Sequence, residues 1–278
     1  MRPLRCNSIY YLITVPRFKI TNLMMRKIRK PIVGKTLSSA VLMIALLVAP
    51  SLIASSHNSS AHIERTVEAP AVVATRTVDE TAAVIAEAGM LYDEMDLEAK
   101  GLPKEAFEYA FRGYKNLVEN GMASRADVLT VADFSQSSRS KRLFILDVAD
   151  HKVIMQTYVA HGRNSGQEYA NSFSNSVDSH MSSLGFYVTK NTYRGAHGLS
   201  LRLDGMEQGI NDNAAARAIV VHGANYIGSD ALKGRSWGSP AVSSNLSKKV
   251  IQAIKDGSVF FIYYPENSYL SNSRILNG

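Results

Sequence analysis

Residues 218–242 read AIVVHGANYIGSDALKGRSWGSPAV. It opens with an apolar, largely β-branched run that ends at His222-Gly223, which is typical of a buried strand. A loop follows in which small residues, glycines and a proline surround two serines, Ser236 and Ser239. His222 and Ser239 are seventeen positions apart. The stretch therefore predicts a strand that ends in a histidine and a loop that presents one small polar side chain.

Short β-rich runs flank this stretch on both sides. They are DVLTVADF (127–134), RLFILDV (142–148), VIMQTYVAHG (153–162), SLGFYVTKNTY (183–193), GLSLRLDG (198–205), ARAIVVHGA (216–224) and SVFFIYYP (258–265). One short helix is expected over Ser247–Asp256. Many short strands with glycine-rich turns and one late helix predict a mostly β domain, not a parallel α/β sheet.

Two helices are predicted before the first strand. The first covers roughly Asp79–Met95, and the second begins at Pro103, a residue suited to a first helical turn, and stops at Gly121. The second helix carries apolar residues at helical spacing, and we interpret this stripe as core packing. Its members are Phe107, Phe111, Tyr114 and Val118.

The net charge of +7 is confined to the N-terminal segment. Residues 1–56 hold nine Lys or Arg and no acidic residue, whereas the remainder has 22 basic and 24 acidic residues. A near-neutral body lacks the basic face that phosphate binding needs, so no nucleic-acid partner is expected.

Residues 1–56 have the pattern of a secretory leader. A basic start from Met25 is followed by ten apolar residues, Ala40 to Ala49, and by Ala54-Ser55-Ser56 as a cleavage site. We expect export to the periplasm or cell envelope, with an uncleaved membrane anchor as the alternative and then as the only membrane contact. Cys6 is the only cysteine and precedes the apolar run, so a mature chain would have no disulfide and no lipid-bearing cysteine.

These patterns predict five segments. They are a leader (1–56), a linker (57–78), a helical pair (79–121), a catalytic domain (122–266) and a C-terminal tail (267–278). The oligomeric state is left open by the sequence.

Other catalytic motifs match only in part. Gly234-Arg235-Ser236-Trp237-Gly238 fits the G-x-S-x-G elbow of α/β-hydrolases, but the last histidine lies upstream and about forty residues remain, too few for that fold. Ser138-Arg139-Ser140-Lys141 fits S-x-x-K without its partner motifs. The histidines have no metal-ligand spacing, so neither a metal nor another cofactor is expected.

The stretch resembles the signature of the L,D-transpeptidase (YkuD-like) family, in which His-Gly at a strand end is followed by 14–17 residues and Ser/Thr-x-Gly-Cys. It is most similar to the branch whose loop reads like GRSWGCPAV. The likeness extends over roughly Val128 to Pro265, with residues 142–166 similar to the opening hairpin and Ser183-Leu184-Gly185-Phe186 in place of T-P-x-G-x-F. The resemblance implies a β-sandwich or barrel and a cysteine acyl transferase of peptidoglycan tetrapeptide stems.

The resemblance also implies roles for individual residues. Ser239 stands at the nucleophile position and His222 at that of the base, while N–H groups of Gly238 and Ser239 are candidate oxyanion donors. Ser236 shapes the turn. Trp237 is a candidate wall of the stem cleft, the alternative being a loop residue folded onto the core.

Ser239 departs from the family, which has cysteine at this position. A hydroxyl ionises far less readily than a thiol, so activity is in doubt. Two explanations stay open: a deliberate inactivation of an active enzyme, or a natural serine variant, which includes an inactive peptidoglycan-binding protein.

Further polar residues are candidates for the substrate cleft. Arg163 and Arg235 are suited to a diaminopimelate or D-alanine carboxylate, and the alternative is that they belong to ordinary solvated loops. The remaining candidates lie in glycine-bounded loops of the middle third: His161-Gly162, Ser165-Gly166, Ser172 to Ser174, His180 and His197-Gly198.

Overall fold

The computed structural model describes residues 77–227 and 236–277. The predicted leader, Cys6, the linker before Thr77, and Arg235 lie outside the described residues. Within the described ranges, no helix combines the length and the apolar character needed to cross a membrane.

The predicted helical pair is confirmed, with boundaries shifted by one or two residues. Helix α1 spans Val78–Glu94 and helix α2 spans Lys104–Glu119. Thr77 caps α1, because its hydroxyl accepts from the Glu80 N–H while the Glu80 carboxylate accepts from the Thr77 N–H. Pro103 is the residue just before α2 and not its first helical residue.

Eight strands form one sheet, which confirms the mostly β prediction. They are β1 (Val128–Asp133), β2 (Leu143–Asp147), β3 (Lys152–Thr157), β4 (Gly185–Gly195), β5 (Gly198–Gly205), β6 (Val220–Ala224), β7 (Ala241–Ser243) and β8 (Val259–Tyr263). Their order across the sheet is β3-β2-β1-β8-β4-β5-β6-β7. Pairs β1–β8 and β6–β7 are parallel, and the others are antiparallel. The expected late helix is α3, Ser244–Ile254, which begins three residues earlier than predicted.

The chain after β3 links the two edges of the sheet. Ala160 donates its N–H to the carbonyl of Ala241 in β7 at 2.8 Å. Ser236 donates its N–H to the His161 carbonyl at 3.2 Å and accepts the Arg163 N–H at 2.7 Å. The sheet is therefore nearly barrel-shaped, and the loop before β7 is fastened to the segment after β3.

Helix α2 packs against β1 and β8 with its aromatic stripe. Phe107, Phe111 and Tyr114 are buried, as predicted. At Gly113 an added Cβ would lie 2.0 Å from the ring of Phe186 in β4, so only glycine allows the helix to approach this closely.

The C-terminal tail is folded onto this helix. It forms α4 (Asn267–Asn272) and α5 (Arg274–Asn277), for which the sequence patterns predict no element. The Asn116 amide donates to the Ile275 carbonyl, and the Arg112 guanidinium donates to the carbonyl of Leu276. The tail is thus an integral part of the domain.

Candidate active site

The parallel pairing of β6 with β7 brings the two ends of the stretch 218–242 together. His222 in β6 is in register with Ala241 in β7, two residues after Ser239. The His222 N–H also donates to the carbonyl of Pro240 at 3.4 Å. The seventeen-residue separation between His222 and Ser239 is therefore a connection that returns the chain to the same part of the sheet.

The ring of His222 is buried and oriented by its own strand. Its Nδ1 lies 3.0 Å from the carbonyl oxygen of Gly223. Because a carbonyl oxygen can only accept a hydrogen bond, Nδ1 carries the proton of the neutral ring. The other nitrogen, Nε2, is then unprotonated and is the atom that can act as a base.

A second histidine stacks on this ring. Strands β4 and β5 are joined by the two residues Ala196 and His197, and the tip of this hairpin carries His197 over His222. The ring centroids are 4.4 Å apart, with an interplanar angle of 28°. The tip reaches this position because Ser200 of β5 pairs directly with His222.

The surroundings of His222 favour its neutral form. Burial lowers its pKa below the usual 6.5, the hydrogen bond to the Gly223 carbonyl opposes this, and the nearby His197 lowers it further. The net direction is downward, so His222 is available as a base at neutral pH.

We expect the His222 imidazole to titrate below pH 6.5 in the folded protein. Its folded pKa is lower than its unfolded one, so its contribution to stability is present above pH 6.5 and is lost as the pH falls through the folded pKa. An NMR titration of the histidine ring protons, with His222→Gln to assign the resonance, measures this directly. A midpoint at or above pH 6.5 would contradict the expectation.

Ser239 is buried, and its backbone neighbours fix its side chain. Its Oγ accepts the N–H of Val220 at 3.2 Å, which leaves the hydroxyl proton for another acceptor. Among the described residues, no hydrogen bond joins Ser239 to His222, and the Ser239 N–H has no partner. That N–H is consequently available as an oxyanion donor.

Gly238 and Ser236 shape the loop that carries Ser239. Gly238 has φ +108°, and a Cβ there would lie 2.5 Å from the Met181 carbonyl, so glycine is required. The Gly238 N–H donates to Ser236 Oγ at 3.2 Å and is not a free oxyanion donor in this structure. Ser236 also donates its hydroxyl to the His161 carbonyl at 3.1 Å. The polar atoms of Ser236 are thus used inside the protein.

Trp237 and Arg163 form an exposed surface beside this loop. The indole is 69% exposed and stacks on His180, with ring centroids 4.8 Å apart. The Arg163 guanidinium lies 6.0 Å from the centroid of the same indole. This exposure excludes the alternative that Trp237 folds onto the core.

Other candidate residues from the middle third of the chain form hydrogen bonds that support the loop before β7. The buried His161 ring accepts from Arg142 through Nδ1 at 2.7 Å and donates through Nε2 to the Gly166 carbonyl at 3.2 Å. Ser165 Oγ accepts the Ser182 N–H. The sequence patterns assign no role to Arg142 or Ser182. Ser182 Oγ accepts the Gly162 N–H and donates to the carbonyl of Gly238.

No group of three or more metal-ligating side chains occurs in the part of the chain that the structure describes. The chemistry of the candidate site consists of an imidazole base, a buried hydroxyl and a backbone N–H. This set suits nucleophilic acyl transfer.

Three solved structures that this chain matches come from different bacteria. An L,D-transpeptidase from Mycobacterium smegmatis is 12% identical with a TM-score of 0.33, the match covering 50% of this chain and 59% of that one. The helical cell shape determining protein from Campylobacter jejuni is 14% identical with a TM-score of 0.35, covering 57% and 55%. An L,D-transpeptidase from Xylanimonas cellulosilytica is 14% identical with a TM-score of 0.30, covering 68% and 94%.

The chain spans about three fifths of the first of these structures. No curated protein is similar enough in sequence to count as a relative. The model of the L,D-transpeptidase catalytic domain matches residues 98–263, which is more than half of the chain and includes both His222 and Ser239. This chain belongs to the L,D-transpeptidase catalytic domain family.

Proposed function

We propose that the domain is a peptidoglycan L,D-transpeptidase-type acyl transferase that acts on tetrapeptide stems. His222 is the base, and residue 239 occupies the position of the nucleophile. The observation that carries the proposal is the contact of His222 Nδ1 with the Gly223 carbonyl at 3.0 Å, which leaves Nε2 as the basic atom, in a chain of this family.

The proposed reaction has two transfers. His222 Nε2 takes the proton of the nucleophile, which attacks the carbonyl carbon of the L,D amide, and the Ser239 N–H stabilises the oxyanion. The intermediate collapses, the C–N bond breaks, and His222 returns the proton to the departing D-alanine amine. An incoming amine or water then loses a proton to His222 and attacks the acyl group, the bond between the acyl carbon and residue 239 breaks, and His222 returns the proton to the side chain of residue 239.

Trp237 and Arg163 are proposed to hold the stem beside this site. An exposed indole offers a flat apolar face for the peptide backbone, and a guanidinium pairs with a carboxylate. Arg235 remains a proposed contact for the same reason. Ser236 is proposed to act only indirectly, by fixing the loop, because its hydroxyl and N–H are both donated to the His161 carbonyl.

A second candidate is a peptidoglycan-binding protein with little or no turnover. One observation favours it: Ser239 Oγ is hydrogen-bonded to the Val220 N–H and not to His222. An oxygen held in this way lacks the base contact that serine nucleophiles need. The proposed transferase and the proposed binding protein would bind the same tetrapeptide stems, and they differ in the rate at which they convert them.

The test common to both is binding of a disaccharide tetrapeptide, measured by calorimetry. We expect saturable binding that Trp237→Ala weakens about tenfold, equivalent to about 1.4 kcal/mol. Ile154→Ala, which removes a partly exposed apolar side chain from β3, is the matched control and should leave the affinity unchanged. Absence of any binding by the parent protein would refute the proposed function.

Export is part of the proposal, since stem peptides lie outside the cytoplasm. The basic, apolar and small-residue pattern of residues 25–56 supports it. We expect the mature protein to begin near His57 and to fractionate with the cell envelope. N-terminal sequencing that found an intact leader on a cytoplasmic protein would contradict this.

A further inference from the structure

A cavity of about 490 Å³ opens on the face of the sheet formed by β4, β5 and β6. Its lining combines an aromatic ring, charged side chains and an apolar wall. Tyr193 supplies the ring, Lys190, Arg202 and Asp204 supply the charges, and Val220 belongs to the wall. The sequence patterns indicate no role for any of these five residues.

The cavity lies on the same sheet face as His222. Directly paired residues of antiparallel strands point to the same side of a sheet, as do residues two apart in one strand. Ser200 pairs with His222, and Arg202 pairs with Val220. Arg202 is thus one residue pair, roughly 7 Å along the strand, from the base.

The same cavity wall continues to the nucleophile position. Val220 lines the cavity and donates its N–H to Ser239 Oγ at 3.2 Å. Tyr193 of β4 pairs with Ser200, which completes the row that contains His222. Val220 is therefore the residue that connects the cavity with the nucleophile position.

The two cations that line the cavity differ in their partners. Lys190 and Asp204 form an ion pair at 3.3 Å and neutralise each other. Arg202 has no carboxylate within 4 Å among the described residues. Its guanidinium instead lies 4.3 Å from the centroid of the Tyr193 ring. Stacking on an aromatic face orients a guanidinium and leaves its donors at the edge for a planar acceptor.

We propose that this cavity is a carboxylate subsite, in which Arg202, held on Tyr193, binds a carboxylate of the stem peptide next to the scissile amide. The inference rests on the proposed function, because it assigns a part of the same ligand. Two carboxylates belong to the residues that the scissile amide joins and share this chemistry: that of the terminal D-alanine and that at the side-chain end of diaminopimelate.

The test is calorimetric binding of a disaccharide tetrapeptide by the full chain and three variants. We expect Arg202→Gln to weaken binding about tenfold, since a charge-assisted hydrogen bond is lost. Arg202→Lys keeps the charge and should retain part of the affinity. Arg194→Gln is the control, because it removes the same charge from the adjacent position of β4, which faces the other way, and should leave the affinity unchanged.

Two modified stems distinguish the source of the carboxylate. One has lysine in place of diaminopimelate and lacks the side-chain carboxylate, and the other has a C-terminal amide. The stem that lacks the carboxylate bound by Arg202 should bind equally to the parent and to Arg202→Gln. If neither stem abolishes the difference between these two proteins, the subsite does not bind a carboxylate next to the scissile amide and the proposal is wrong.

Failure of the subsite and failure of the proposed function give different results. If the parent binds the tetrapeptide and Arg202→Gln binds it equally well, the subsite is refuted while the proposed function stands. If the parent binds no stem, both are refuted. Thermal unfolding of each variant accompanies the titrations, and a folded Arg202→Gln with lost affinity supports the subsite.

Discussion

Replacing Ser239 by cysteine should raise the rate of D-amino-acid exchange on tetrapeptide stems about a thousandfold. A thiol ionises near pH 8.5, within reach of an imidazole base, whereas a hydroxyl ionises many units higher. A thousandfold change corresponds to roughly 4 kcal/mol in the activation barrier. The change concerns one atom at a buried position, and the rest of the site is untouched.

The state of His222 makes the oxygen nucleophile still less favourable. Burial and the neighbouring His197 lower the pKa of His222 below 6.5. A base with a lowered pKa removes a thiol proton adequately but is poorly matched to a hydroxyl. Ser239 Oγ is also hydrogen-bonded to the Val220 N–H and not to the base. Ionisation and geometry therefore both disfavour attack by the serine.

Chromatography of muropeptides after incubation with D-methionine measures the exchange, because each exchange shifts the mass of the product. Ser239→Ala gives the background rate, and Ser236→Cys controls for adding a thiol to the same loop. Tetrapeptide affinity should differ little between the parent and Ser239→Cys, since the exposed Trp237 and Arg163 are unchanged. Equal exchange rates in these two proteins would mean that Ser239 is a competent nucleophile.

Much of the fold can be predicted from local sequence patterns. The strand GLSLRLDG at residues 198–205 has its predicted boundaries, because its alternation and its flanking glycines are local signals. The aromatic stripe of α2 is buried as predicted for the same reason. Closure of the sheet through Ala160 and Ala241 is not predictable in this way, since it joins segments about eighty residues apart.

The sequence indicates the candidate residues one by one but not the contacts between them. The pattern of residues 218–242 points to His222 and Ser239, and the parallel register of β6 and β7 explains why that spacing recurs. The stacking of His197 on His222 depends on a hairpin tip folding over a neighbouring strand. The cavity at Arg202 depends on the register of three strands. Neither relation is visible in a single sequence.

A further prediction concerns which serine of the loop stands at the reactive position, Ser239 or Ser236. We expect Ser239→Cys to form a covalent adduct with a carbapenem, because a thiol at the nucleophile position would attack the strained lactam carbonyl. Ser236→Cys should form none. The two variants have the same mass and differ only in where the thiol is placed, so each is the control for the other. Intact-mass spectrometry detects the adduct, and peptide mapping separates it from one on Cys6.

The reason lies in what surrounds each position. Ser236 is 4% exposed, and its hydroxyl and N–H are both donated to the His161 carbonyl while its Oγ accepts the Gly238 N–H. A thiol there would replace contacts that fix the loop. At residue 239 the side chain contacts the backbone of β6 two residues before His222, and the Ser239 N–H has no hydrogen-bond partner within residues 77–227 and 236–277. An adduct on Ser236→Cys alone would therefore overturn the assignment of the nucleophile and, with it, the role proposed for His222.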